Sequence, residues 1–494
     1  ANLVGTWYLM VVSDQPNRIY EHLAEGNNQI SRIIQITQPN PSDLLITGIE
    51  MPQQAMLGDN MQVNYVLQNV GGNPALGKVT DGMYLSSNQQ LEPVQDVLFG
   101  TRQENLLLNP GQQINIQMNG PVRSVFPGDY YGIGRTNMTN QLFESDINNN
   151  ITSSNDLVSV SVRSIQLNIP TQTTLPVQTY RYFKIEVAGD LDLVIDITGN
   201  KGTAQNEMYV AFNKIPSPVS FDASGVDAQK PNQRVIIPGT QAGTYYILLQ
   251  SIFDAGGQDV TILARALPFS ITSVAPGKVG NGLVSTLVEG AGFRDGIRFE
   301  LRIPGTQTVV ATAQKANRVN SMQARPLWNL ANVPLGTYDV AAVNANNSSV
   351  FLANGLVVES STGLRLDQFV AAPDLIRVER NAFYNLTIKN TGNIDIPFAQ
   401  VEVGVPSQVE VLSVKTSDAH TKSRKQVFPF AGVEVDDYFI VQTNKIIPIF
   451  IKDLQAGEET NISIMFSKFS TGVFSVTMRA TAFERVEYVE KQYS

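Results

Sequence analysis

Cysteine is absent from all 494 residues, which removes thiol nucleophiles, thiolate metal sites and disulfides together. Secreted eukaryotic chains of this size usually carry disulfides, so the zero fits a bacterial export product or a cytosolic protein. Histidine is nearly absent too. His22 and His420 stand near opposite ends of the chain, and neither sits in a nucleophile-elbow or zinc-protease pattern, so both read as loop imidazoles. No Walker-type loop and no G-x-G-x-x-G ahead of a helix occurs, and the G-I-G at 132–134 lies in a strand-like run. No run of about 18 apolar residues is present, and the opening ANLVGTWYLMVVSDQ lacks a basic flank and a cleavage pattern. Any export signal or anchor is expected outside these residues, and no membrane insertion within them. Net charge is −9, a field that repels phosphate backbones and anionic lipid. The one basic cluster, HTKSRK at 420–425, has no interleaved aromatics and reads as a solvated loop, so no nucleic-acid partner is expected.

What is present is a folded, turn-rich chain. Apolar residues make up 43% and charged residues only 16%, the balance of a chain that buries cores rather than one that stays disordered. The length suggests roughly three to five domains at about 100 to 200 residues each. Alternation dominates: Val63, Tyr65 and Leu67 share one face of QVNYVLQN, and Leu191, Leu193, Ile195 and Ile197 share one face of DLDLVIDIT while Asp190, Asp192 and Asp196 point away. No amphipathic helix of ten residues stands out. Short strands punctuated by NPG, PGD, AGT and AGE turns predict an all-β chain of sandwiches in series.

Two internal repeats support that reading. GTWYLMVVSDQPNRIYE at 5–21 lies without a gap over GDYYGIGRTNMTNQLFE at 128–144, each partner 123 positions on, from Glu21 to Glu144. Residues 1–40 therefore read as the last strands of a module whose front half lies upstream in a longer chain or comes from a neighbouring subunit. A third copy is traceable near the C-terminus: Asn69 and Gly71 match Asn390 and Gly392, Val63, Tyr65 and Leu67 match Tyr384, Leu386 and Ile388, LNPGQQINI matches LQAGEETNI, and Gly128 matches Gly472. The last copy carries an insertion, the one holding HTKSRK.

From DLLITGIEMPQQAMLGDNMQVNYVLQNVGG through MYLSSNQQLEPVQDVLFG and LNPGQQ to FESDINNN, residues 42–163 resemble the bacterial cell-adhesion-related domain called CARDB. The resemblance implies an Ig-like β-sandwich ending in a glutamate and two asparagines, matched by Glu144, Asn149 and Asn150 and again by Glu21, Asn27 and Asn28. The C-terminal copy lacks that ending, so only a related Ig-like sandwich is expected there. Residues 164–268, with YRYFKIEV, NEMYVAF and AGTYYILLQS, resemble the bacterial pre-peptidase C-terminal (PPC) domain, a jelly-roll-like sandwich. Residues 269–360, with ITSVAPGKVGNG, VEGAGF and LGTYDVAAVN, resemble an IPT/TIG domain, another Ig-like fold, with Pro276, Gly290, Gly292, Phe293 and Gly336 at its turn positions. The expected units are 1–40, 41–163, 164–268, 269–360 and 361–494.

Catalytic chemistry finds little to build on. Asp190, Asp192 and Asp196, the cluster of Glu434, Asp436 and Asp437, and Asp254 are the carboxylates that could pair across a cleft for glycoside hydrolysis, but they read as polar sheet faces and loops. Glu144, Asp146, Asn148 and Asn150 offer oxygens at every second position, as a calcium loop would, yet without the order of an EF-hand. The competing reading is that Asn and Asp simply close the turn, so any metal ligand is left open. No enzyme activity and no cofactor are expected. The expected function is a non-catalytic, adhesive segment of an exported bacterial surface or fibre protein, a semi-rigid stalk at the cell surface whose partners are neighbouring domains of a longer chain or other surface subunits. The alternative is an accessory region of a secreted hydrolase that binds carbohydrate; Trp7 and Trp328, the only tryptophans, read as core residues rather than as a sugar platform.

Overall fold

The computed structural model describes residues 4–15, 18–37, 41–227, 229–253, 256–378, 380–416, 421–423, 426, 436–467, 472 and 475–483. Its described elements are strands, apart from one 3₁₀ turn at His22–Asn27. The chain divides into two compact units. The first comprises Ala1–Glu186, Ile195–Val235 and Gly243–Ala264, and the second Val187–Val194, Ile236–Ala242 and Arg265–Ser494.

The first unit opens with a hairpin of β1 (Gly5–Val12) and β2 (Gln29–Ile36), a sheet of two strands. Eight strands follow: β3 (Leu44–Glu50), β4 (Gln54–Met56), β5 (Asn60–Asn69), β6 (Ala75–Ser86), β7 (Val97–Leu108), β8 (Gln113–Pro121), β9 (Gly128–Arg135) and β10 (Ile151–Ser161). They form one sheet in the order β4-β10-β9-β6-β7 and a second in the order β3-β5-β8. The alternation of β5 buries Val63, Tyr65 and Leu67 as expected, facing Val79, Met83, Leu85 and Val158 in one core. Between residues 163 and 266 two further sheets run in the orders Arg163–Ser164, Tyr180–Val187, Gly243–Phe253, Gln205–Phe212, Ala223–Ser224 and Thr171–Leu175, Gln258–Ala266, Leu193–Gly199, Gln233–Ile237.

In the second unit, strands between 270 and 359 form two five-stranded sheets around Trp328, Phe293 and Phe299, all fully buried. The indole of Trp328 donates to Thr286 Oγ1 at 3.0 Å, which satisfies the one polar atom the core position would otherwise strand. Trp7, by contrast, is not a core residue; its side chain is 43% exposed on β1. From residue 366 onward another pair of sheets encloses Leu386, Ile388, Val401, Ile449, Ile462 and Phe466.

The third copy repeats the complete copy at 41–163 down to its hydrogen bonds. Asn69 Nδ2 donates to Leu108 O at 2.9 Å and to Asn73 O at 2.8 Å, while its Oδ1 accepts from the Gly71 amide at 3.1 Å. Asn390 donates to Leu454 O at 3.1 Å and Ile394 O at 2.8 Å and accepts from the Gly392 amide at 2.9 Å. A strand-ending asparagine thus ties together two turns in each copy. The longer interval of the last copy is occupied in part by Glu410–Thr416, which pairs with Glu459–Ser467, and by Thr421–Ser423, which pairs with Asn444–Leu454. His420, Arg424 and Lys425 of the basic cluster lie outside the described residues.

Candidate functional site

The Asn-rich loop after β9 is built around two buried carboxylates. Asp81 on β6 accepts from Thr136 Oγ1 at 2.7 Å, the Asn137 amide at 3.2 Å and the Tyr65 hydroxyl at 2.9 Å. Glu144 accepts from the Leu44 amide at 2.8 Å, from Asn150 Nδ2 at 3.0 Å and from Asn137 Nδ2. Burial pushes both carboxyls above their ordinary range, and these hydrogen bonds oppose the shift. Glu144 therefore fastens the loop to the start of β3. Asp146 turns outward and caps its own loop through the Asn148 amide at 2.8 Å, and Asn149 reaches Asp43 Oδ1 at 2.7 Å. The four oxygen-bearing side chains at alternate positions are divided between separate tasks. Among the described residues, no group of three or more His, Asp or Glu side chains is placed to hold a metal ion.

The carboxylates considered for catalysis are equally dispersed. The strand begins at Leu193, and Asp190 sits in a left-handed turn at φ 60°. Asp192 does not point to solvent as alternation predicts. It is 3% exposed and accepts from the Gly239 amide at 2.9 Å, the Gly292 amide at 2.5 Å and Ser321 Oγ. Strand alternation starts only at Leu193, and Asp192 lies in the preceding turn, where its carboxylate accepts from three donors of other segments. Asp196 pairs with exposed Arg234 at 2.6 Å, and Asp437 accepts from Ser423 Oγ at 2.6 Å. Asp254, Glu434 and His420 lie outside the described residues. His22, with Nδ1 3.2 Å from the Tyr20 hydroxyl, is exposed.

Two further carboxylates carry structural roles that sequence patterns did not reveal. Asp59 bridges Arg163 and Arg181, 2.6 Å from each guanidinium. Beside it Gly58 adopts φ 88°, and a Cβ there would lie 2.9 Å from Tyr180 O, so only glycine allows this approach. Tyr182, Tyr246 and Leu248 then join the core of β3 to β10, and Arg123 lies 3.9 Å over the Tyr180 ring. In the second unit Asp395 is 6% exposed and accepts from the Ala456 amide at 3.1 Å. Burial, with nearby Glu458, pushes its carboxyl up to about 6. It lines a cleft of about 470 Å³ with Ser285, Lys315, Arg325, Lys452 and Glu458. A Gly-Asp pair at a turn, as at 58–59, was the one visible signal; the partners 104 and 122 positions away were not.

The chain is similar to a CARDB domain of a Pyrococcus furiosus protein solved with di-metal ions, at 18% identity over 24% of this chain and 89% of that one, with a TM-score of 0.19. A solution structure of the same domain gives 17% identity over 25% and 97% of the two chains, TM-score 0.19. β-Glucosidase 3B of Thermotoga neapolitana in complex with α-D-glucose shares 20% identity over 19% of this chain and 14% of the enzyme, TM-score 0.15; the chain thus spans about a seventh of that enzyme. No curated protein matches. Residues 179–251 match the family described as bacterial pre-peptidase C-terminal domain, a non-catalytic module, in the stretch where YRYFKIEV and AGTYYILLQS carry the resemblance.

Proposed function

We propose that this chain is a non-catalytic spacer and adhesion segment of an exported bacterial surface protein, its sandwich modules joined in series as a semi-rigid stalk. The observation that carries the proposal is the junction at Asp59. One carboxylate on the turn after β4 holds both Arg163, at the end of its own module, and Arg181 of the following module, and partly desolvated ion pairs of this geometry fix orientation more than they add stability. A linker built for freedom would have no such cross-tie. The carboxylates of Glu144, Asp192 and Asp395 each accept from a backbone amide of another segment, which suits a structural role. The partners expected at such a surface are neighbouring modules and other surface subunits.

The test is protease shaving of intact source cells followed by peptide mass spectrometry. Peptides from residues 41–268 should be released without lysis. Their recovery only after lysis would contradict export and with it the stalk.

A further inference from the structure

The β1–β2 hairpin reproduces the β9–β10 hairpin of the next module. Val12 pairs with Gln29 as Arg135 pairs with Ile151, and Gly5 pairs with Ile36 as Gly128 pairs with Val160; β10 differs by a bulge between Ser153 and Leu157 that β2 lacks. In the complete module the inward face of the hairpin, Tyr130, Gly132, Gly134, Val158 and Val160, is covered by residues of β3 to β8, and the hairpin is hydrogen-bonded on both edges, β9 to β6 and β10 to β4. The corresponding face of the first hairpin is Trp7, Leu9, Val11, Ile34 and Ile36. Leu9 and Val11 are 57% and 59% exposed, and no third strand joins the sheet among the described residues.

The internal copy therefore shows what kind of structure covers this face, and a size reversal shows which version of it does. Side chains of β3, of Met51 just after it and of Met83 on β6 crowd positions 132 and 134, where the chain has glycine. A Cβ at Gly132 would lie 2.6 Å from Met51 Sδ, and one at Gly134 would lie 2.7 Å from Ile46 Cδ1 and 3.2 Å from Ile49 Cδ1. The first hairpin places leucine and valine at these two positions. A front half carrying Ile46, Ile49 and Met51 would have to move these side-chain ends aside to make room for Leu9 and Val11, and such overpacking disfavours exchange with residues 42–121 of a second copy. Strand pairing along both hairpin edges and burial of five apolar side chains favour a complementary half-sandwich over a flat apolar partner.

We propose that the Trp7, Leu9, Val11, Ile34 and Ile36 face is the docking surface for the front half of a further CARDB-type sandwich, joined to it in one polypeptide and carrying smaller side chains where this chain has Ile46, Ile49 and Met51. Single-polypeptide supply follows the arrangement of the complete copy, in which β8 ends at Pro121 and β9 begins at Gly128.

The test is hydrogen exchange of the Trp7–Val12 amides in four proteins. These are the 494-residue chain, the same chain with residues 42–127 duplicated directly before Gly5, that duplication with Ile46→Ala, Ile49→Ala and Met51→Ala in the added copy, and the unchanged duplication combined with Leu9→Gly and Val11→Gly. The trimmed copy should slow exchange at least ten-fold relative to the 494-residue chain and more than the unchanged copy does. The glycine variant should regain protection under the unchanged copy, which keeps the test open if the trimmed copy fails to fold. Protection that is equal or greater under the unchanged copy over Leu9 and Val11 would overturn the size argument. Absence of added protection in both the trimmed and the glycine proteins would overturn the docking surface. Protection of the 494-residue chain that rises with its own concentration would assign the face to a second copy instead.

Discussion

Glu144 holds an acidic, amide-rich stretch together through its own side-chain hydrogen bonds. Its carboxylate holds the Leu44 amide and the side chains of Asn137 and Asn150, donors that would be orphaned in a buried place without it. Glu144→Ala should cost about 2 to 4 kcal/mol in denaturant unfolding, and EDTA should leave the wild-type midpoint unchanged, because the loop is closed by its own side chains. A large fall in EDTA that calcium restores would contradict this. Asp395 gives the clearest pH signature. Its folded carboxyl titrates near 6 against an ordinary value of 3.8, so the folded state binds the extra proton between those values. Its contribution is full below about pH 3.8 and is lost as pH rises through about 6, a change of about 3 kcal/mol at most. Lys315, Arg325, Lys452, Asp453 and Glu458 line the same cleft, and of these Glu458 pushes the Asp395 carboxyl up. Asp395→Asn should flatten that slope of stability against pH, measured by urea unfolding from pH 4 to 7; an unchanged slope would assign it to other groups.

At the scale of elements, the strands were legible wherever one face was buried. Val63, Tyr65 and Leu67 and their counterparts Tyr384, Leu386 and Ile388 alternate in sequence and are buried in the structure, because a period of two is all that a half-buried strand requires. The repeat of Asn69 in Asn390 was visible as spacing, and its cause is the pair of turns each side chain ties together. Asn69→Ala and Asn390→Ala should each cost about 1 to 3 kcal/mol and should add in the double variant, since they share no partner; strong non-additivity in thermal unfolding would contradict independent ties. What alternation could not show was where a strand starts. Asp192 reads as a solvent-facing strand residue, yet it precedes the strand and is buried by amides from Gly239 and Gly292. Asp59 and Asp395 escaped notice for the same reason: their partners are tertiary, and nothing local marks a carboxylate that will be buried.

At the scale of the molecule, the first unit ties residues 41–163 to the strands that follow them. Within the first unit, the Asp59 bridge, the Gly58 contact and the joining of Tyr182, Tyr246 and Leu248 to the neighbouring core couple residues 41–163 to the strands that follow. Coupled sandwiches should open as one cooperative block. Native-state hydrogen exchange of the 494-residue chain and its Asp59→Ala variant, followed on the amides of β5 and of Tyr180–Val187, tests this most directly. Both strands should share one opening free energy in the wild type, and in the variant it should fall by about 1 to 2 kcal/mol and the two values should separate. Two unrelated opening energies in the wild type, or a variant in which neither changes, would contradict this coupling.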